Sequence, residues 1–427
     1  MKHTVIEARL KNGARGLFID VPGATVMSFQ FQFRAGNRYV SQKDVYETAH
    51  IMEHMAFGAN AKFKNEHEYE AEFTKNGAYH NAYTSDLSMV YIADCADFEW
   101  ERILGLQEVA ITQPRFNGEE LQAEKGNVRS ELTGYLNNHN RVLWPKVQQL
   151  IGEDILSYRQ RILTIPNVTL DDIKKHYAKT HTSDNLRFVI AGKLHGRMSE
   201  IKRQLEDWKL PRGERFEVEK DELHSGKPTI IRRKEASNLT FAWSMITPRE
   251  ITDKESDAMD SLDHILTGTM HSRIYGAARK KGLAYGMFSD TSVGFHSSSW
   301  DFGGQVNYET ADELFDIIAR EMKRVLDGKI TDKEIDAAKS YALGRHQMGA
   351  QTVAQISNFY TNRYFADGVV KDYDKVPESI NSITRDCMID TAREFFDQNT
   401  WVLAAVSSGE KDQVVGLGDK LEELFKR

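Results

Sequence analysis

The strongest constraint on the fold of this chain is that it is built twice. Val26 to Phe33 alternates apolar residues at Phe29, Phe31 and Phe33, the period of a half-buried strand. Phe241, Trp243 and Met245 repeat that spacing in the second half. A helical segment follows each strand. One carries His50-Ile51-Met52-Glu53-His54 and the other His264-Ile265-Leu266-Thr267-Gly268, an offset of 214 in the numbering. The same offset of 214 relates Asn117-Gly118-Glu119-Glu120-Leu121-Gln122-Ala123 to Thr331-Asp332-Lys333-Glu334-Ile335-Asp336-Ala337, and the strands differ from it by only two. Each half then closes on an apolar strand, ending near Gly192 or Gly409, and a charged helix. Strand-then-helix is a common order, but four matches in one order at nearly one offset read as duplication. The polar stretch from Pro211 to Pro228 is a natural linker, so the expected domains are 1–212 and 229–427, joined by 213–228. Each half mixes antiparallel-type strands with long helices. The predicted class is α+β, with two homologous domains, each a mostly antiparallel sheet packed with helices.

Composition narrows the function classes. The 427 residues are enough for each half to bury a core, and no run approaches the ~18 consecutive apolar residues of a membrane-spanning helix. The start, Met1 to Leu10, lacks the apolar core of a secretory signal and is not an Arg/Ser-rich transit peptide. Cys95 and Cys387 are too few and too far apart for a disulfide framework or a zinc cluster. A reducing, cytoplasmic setting is therefore expected. The net charge of −7 argues against nucleic acid as a partner, because phosphate contacts need a basic face. Any metal must be held by His and carboxylates.

Such a set is present in the first half. A helix is expected over about residues 44–57, with Asp44 and Glu47 at capping-box spacing and Gly58 as a stop. Val45, Ala49, Met52 and Ala56 then form a core stripe, and His50, Glu53 and His54 fall on the adjacent one. Two imidazoles one turn apart can grip one metal ion, with Glu53 beside it, where a carboxylate can take a proton from bound water. This is the reversed form of H-E-x-x-H. With 14 His in the chain, about a few hundredths of an accidental H-x-x-E-H match is expected, so a purely structural reading of these histidines is disfavoured. A catalytic zinc usually has three protein ligands and an open position. The helix read over Glu119 to Glu131 offers Glu124 and Glu131, two turns apart on one face. Taken alone, acidic residues on a helix are usually just solvated.

With these residues in hand, the chain resembles the pitrilysin/insulysin metallopeptidases, which include the mitochondrial processing peptidases. In that family H-x-x-E-H supplies two zinc ligands and the general base, and a Glu well downstream completes the site, with another Glu two turns before it. Glu131 and Glu124 stand at those positions relative to His54. The resemblance implies that His50, His54 and Glu131 hold one Zn2+, that Glu53 is the base, and that Glu124 supports the ligands. Arg34-Ala35-Gly36-Asn37-Arg38 is similar to the family's segment ahead of the zinc helix. Gly77 to Thr84 looks like the edge strand that pairs with substrate backbone, which would put Asn81 and Ala82 beside the scissile bond. An ordinary edge strand is the alternative for that segment.

The second half has lost the metal site. His264 persists, but Thr267 and Gly268 replace the Glu and the second His, and Arg345 falls where Glu131 would map. The resemblance implies that this degenerate copy contributes a Tyr and an Arg, seven apart, to the substrate carbonyl. Gly282-Leu283-Ala284-Tyr285 matches the Tyr end. Seven residues before Tyr285, however, is Ala278, and Arg279 is six before. A solvent-facing Arg-Lys-Lys turn is the alternative for Arg279.

The implied activity is zinc-dependent endopeptidase cleavage of peptides or unfolded segments inside a closed chamber. That chamber needs four such domains, and this chain supplies two, a half-clamp. A homodimer is the simpler expectation, because one chain carries both a zinc half and an Arg/Tyr half. The shortened spacing keeps a heterodimer with a related subunit open. The contrasting reading is a non-catalytic or partner-dependent subunit of the same fold, which predicts a broken zinc motif.

Overall fold

The computed structural model describes residues 1–426. Six strands form the first sheet: β1 (Thr4–Arg9), β2 (Arg15–Asp20), β3 (Val26–Phe33), β4 (Tyr79–Thr84), β5 (Met89–Ala96) and β6 (Arg187–Gly192). Their order is β1-β2-β6-β3-β5-β4. All neighbours are antiparallel except β2 beside β6. Five strands form the second: β7 (Thr229–Arg232), β8 (Asn238–Thr247), β9 (Met287–Val293), β10 (Ser298–Asn307) and β11 (Trp401–Ser407), ordered β7-β11-β8-β10-β9. Here only β7 beside β11 is parallel. The two halves are thus mixed α and β with mostly antiparallel sheets, the class expected from the repeat.

The alternation of β3 does mark a buried face: Phe29, Phe31 and Phe33 are fully enclosed. The strand is not half-buried, however, because Ser28, Gln30 and Gln32 on its other face are enclosed as well. The helix Val353–Asp367 covers that face. Gln30 donates from Nε2 to Ser357 Oγ (3.1 Å) and Asn358 Oδ1 (2.7 Å), so its buried amide is satisfied. In the other sheet the helix His139–Ile151 lays Leu143, Val147 and Ile151 on Ala242 and Ile246 of β8 and on Val402, Ala404 and Val406 of β11.

These covering helices come from the opposite half of the chain. One compact unit comprises Met1–Gly134, Tyr158–Val218 and Gly349–Lys371, and the other Tyr135–Ser157, Glu219–Met348 and the chain from Asp372. The two exchanged segments have equal length and begin at Tyr135 and Gly349, positions related by the offset of the sequence repeats. Neither segment differs in pattern from any amphipathic helix, so its destination is not written locally. Among the described residues no helix is long and apolar enough to cross a membrane.

Behind the first sheet the helix Leu170–Thr180, opened by a Thr169/Asp172 capping box, carries two buried imidazoles toward its C-terminal end. His176 donates from Nε2 to the carbonyl of Ala35 (2.9 Å), and His181 receives the Tyr91 hydroxyl at Nε2 (2.9 Å). Burial depresses His176 to about 4 and His181 to about 3. Both are neutral in the folded chain at pH 7, whereas the unfolded chain takes up their protons below about pH 6.5. Stability is therefore lost as pH falls from about 6.5 toward 4, by ~3 kcal/mol for His176 alone. Urea titrations of the parent and of His176→Gln across that range should show the parent's steeper decline. Parallel curves would refute the assignment.

Candidate metal and catalytic site

The motif helix spans Thr48–Ala56 and is preceded by a short 3-10 turn at Lys43–Val45. The expected Asp44/Glu47 capping box is absent, since Glu47 occupies the N-cap without a side-chain cap bond. Its carboxylate is turned inward, where it accepts from His50 Nδ1 (3.0 Å) and from Arg161 Nε (2.5 Å) and Nη2 (3.0 Å). Those bonds use the oxygens that a cap would need. Ala49, Met52 and Ala56 face the core as expected, and His50 and Glu53 are nearly as buried.

The helix Gly118–Tyr135 brings Glu124 and Glu131 against this face. His50 Nε2 lies 3.4 Å and His54 Nε2 3.6 Å from Glu131 Oε2. The two imidazole rings stand edge to face, with centroids 5.0 Å apart. One ligand atom from each of His50, His54 and Glu131 lies within 4.8 Å of the others, and no other such His/Cys/Asp/Glu group occurs among the described residues. Glu124 Oε2 takes His54 Nδ1 at 2.9 Å and is itself bonded by Asn127 Nδ2 (3.1 Å). Each histidine therefore has one nitrogen held by a carboxylate behind it and the other aimed at Glu131.

The electrostatics follow from burial and these partners. Burial works against charging His54, but Glu124 and Glu131 outweigh it and raise its pKa to about 10. His50 is raised too, its bonds to Glu131 and Glu47 overcoming burial. Glu53 is held above the ordinary carboxylate range by burial, only partly offset by His50 and by the Thr84 hydroxyl. That hydroxyl donates to Glu53 Oε2 at 2.7 Å from the end of β4.

β4 is the outer strand of its sheet, with one side unpaired. Asn81 is exposed on it and Ala82 buried, and the Ala82 N–H is taken by Asn81 Oδ1 at 2.9 Å. The segment ahead of the motif helix packs closely: a Cβ on Gly36 would collide with the backbone carbonyl oxygens of Ser85 and Asp86. Arg38 bonds Asp86 at 2.8 Å.

In the second unit the helix Asp253–Asp263 runs into a π-helical turn at His264–Gly268, the position of the motif. Thr267 pairs with Ser289 Oγ (2.7 Å), His264 stacks on Tyr341 (4.0 Å), and Arg345 is exposed. Ring stacking and hydroxyl bonding thus replace the metal-type donors. Tyr285 is 83% exposed, and the Arg279 guanidinium lies 4.6 Å from its ring centroid. The six-residue spacing now has a physical reading. Ala278 is fully buried in the helix Arg273–Lys280, so an Arg seven before Tyr285 would point into the core, whereas Arg279 points to solvent. Gly282, with φ +71°, makes the left-handed turn between them.

Sequence reasoning missed Glu47 and Arg161 as site residues and gave Thr84 no role. Glu47 carried a local signal, standing three residues before His50 on the same helix face. Arg161, far along the chain from Glu47, carried none.

Comparison with known proteins bears on the family of the chain. A family profile described as Insulinase (Peptidase family M16) matches residues 19–151, and one described as Peptidase M16 inactive domain matches 167–341. An uncharacterized zinc protease of Rickettsia bellii is 24% identical over 93% of this chain and 97% of its own. The mitochondrial-processing peptidase subunit beta of Rattus norvegicus is 28% identical over 39% of this chain and 35% of its own. A Helicobacter pylori protein named a non-peptidase homolog is 24% identical over 58% of each chain. Among solved structures, a peptidase M16 inactive domain from Pseudomonas fluorescens superposes with TM-score 0.81 at 18% identity, covering 95% of this chain and 98% of that one. A protease from Helicobacter pylori gives TM-score 0.80 at 16% identity, covering 95% and 100%. The two profiles together span well over half of the sequence, and the chain belongs to peptidase family M16.

Proposed function

We propose that the chain is a zinc-dependent endopeptidase acting on peptides or unfolded segments. The observation that carries this reading is the convergence of His50, His54 and Glu131 on one point, with the buried Glu53 beside them. Two imidazole nitrogens and one carboxylate suit zinc better than magnesium or calcium, which prefer all-oxygen sets. A zinc ion held by these three residues would supply Lewis-acid activation of water and of the peptide carbonyl. Glu53, braced by Thr84, takes the proton of the attacking water on its carboxylate and returns it to the leaving amine. Its raised proton affinity suits a group that must hold a proton between those steps. The open edge of β4 accepts an extended peptide as a further strand beside Asn81 and Ala82. The Ala82 N–H, spanned only by its neighbour's side chain, is the donor an incoming carbonyl takes over. Tyr285, with Arg279, serves from a second copy of the chain.

A second reading, a non-catalytic or partner-dependent subunit, draws support from the similarity to the non-peptidase homolog and to the inactive-domain profile. Zinc analysis with digestion of unstructured peptides, with and without chelator, separates the two. Stoichiometric zinc with chelator-sensitive cleavage that zinc restores is the expected result. Zinc without cleavage favours the second reading, and neither zinc nor cleavage overturns the first.

A further inference from the structure

We infer that Glu47 and Arg161 form a buried positioning pair that fixes which nitrogen of His50 is offered to a metal; this deepens, and rests on, the zinc-peptidase reading. The Glu47 side chain is wholly inaccessible, and Arg161 reaches it from the short helix Tyr158–Thr164. Such a carboxylate would be costly to bury alone, and a guanidinium gripping both its oxygens compensates the charge. Oε2 is shared between Arg161 Nη2 and His50 Nδ1, each at 3.0 Å.

A carboxylate that accepts from Nδ1 requires the proton there. Nε2, 3.4 Å from Glu131, is then the nitrogen that would turn its lone pair to a metal once its proton leaves. Arg161 prevents rotation of the carboxylate away from the ring, because its fork binds in one plane and one register. The arrangement differs from that of His54, whose Glu124 comes from another helix and is seconded by an amide, Asn127. At His50 the carboxylate sits at the N-cap of the same helix, so its own backbone is anchored by the motif helix it serves. Neither residue is placed to touch substrate. They act through His50, as the groups behind metal-ligating histidines generally do.

Glu47→Gln keeps the shape but cannot pair with the guanidinium charge. We expect this variant of the full chain to bind zinc ~10–100-fold more weakly in competition with a chromophoric chelator, with Arg161→Lys falling between it and the parent. The melting curve of the metal-free variant reports whether it folds. Parental zinc affinity in a folded Glu47→Gln variant would overturn the inference and leave the peptidase reading standing. Failure of the parent itself to take up zinc would instead defeat that reading, and the inference with it. If Glu47→Gln does not fold, nitrogen NMR of the unsubstituted zinc-loaded chain decides: a protonated Nδ1 on His50 is expected, and a protonated Nε2 overturns the pair's role.

Discussion

Glu53→Gln should retain zinc at the parental stoichiometry and lose peptide cleavage by ~10²–10⁴-fold or more, the span associated with removing a positioned general base. The substitution isolates chemistry from architecture. Glutamine has the same shape, and its amide oxygen can still accept the Thr84 hydroxyl that braces Glu53 Oε2. What it cannot do is take a proton. Glu53 is buried and lies beside two histidines whose charged forms are favoured in the metal-free chain, so its replacement also removes a negative charge next to them. Metal content must therefore be measured alongside activity. Full zinc with no cleavage assigns the base, whereas cleavage at the parental rate with zinc bound would mean that another group moves the proton. Loss of zinc would place Glu53 among the groups that hold the ion.

The reason this experiment can be designed from sequence is that the essential geometry is local. His50, Glu53 and His54 share one helix face by spacing alone, and Glu124 and Glu131 share another by the same rule. That the two faces meet follows from the resemblance, and the 3.4 and 3.6 Å approaches of Glu131 to the imidazoles give it dimensions. The features that escaped are non-local. Glu47 looks like a cap because its spacing from Asp44 fits one, yet a cap is chosen only if no better partner arrives, and Arg161 arrives from a distant helix. β3 looks half-buried because Ser28, Gln30 and Gln32 are polar, yet the two amides tolerate burial because Ser357 and Asn358 accept from Gln30 and Ser88 accepts from Gln32. The exchange of helices between units is equally invisible to a single pass along the chain. Only its recurrence at the offset of the sequence repeats ties it to the duplication. Arg279 goes the other way. Its six-residue spacing looks like a defect in sequence and becomes intelligible once Ala278 is seen to face the core.

Tyr285→Phe should lower cleavage by ~10²–10³-fold, the loss of a donor worth about 3–4 kcal/mol to charge developing on the substrate carbonyl oxygen. The side chain is 83% exposed, with its ring supported by the Arg279 guanidinium at 4.6 Å. Phenylalanine keeps that support, so melting temperature and zinc content should stay at parental values and the loss cannot be assigned to unfolding. The stronger test is to mix this inactive variant with inactive Glu53→Gln after dissociating and reassociating the subunits. If Tyr285 of one copy serves the site of another, a mixed dimer pairs an intact Glu53 with an intact Tyr285 at one of its two sites. Random pairing of equal amounts makes half of the dimers mixed, so about a quarter of the parental activity should return. If Tyr285 acts within its own chain, no pairing restores both groups to one site, and the mixture stays inactive. A parent that sediments as a fully active monomer would exclude the two-copy site outright, and it would leave the motif helix to work with whatever its own chain provides.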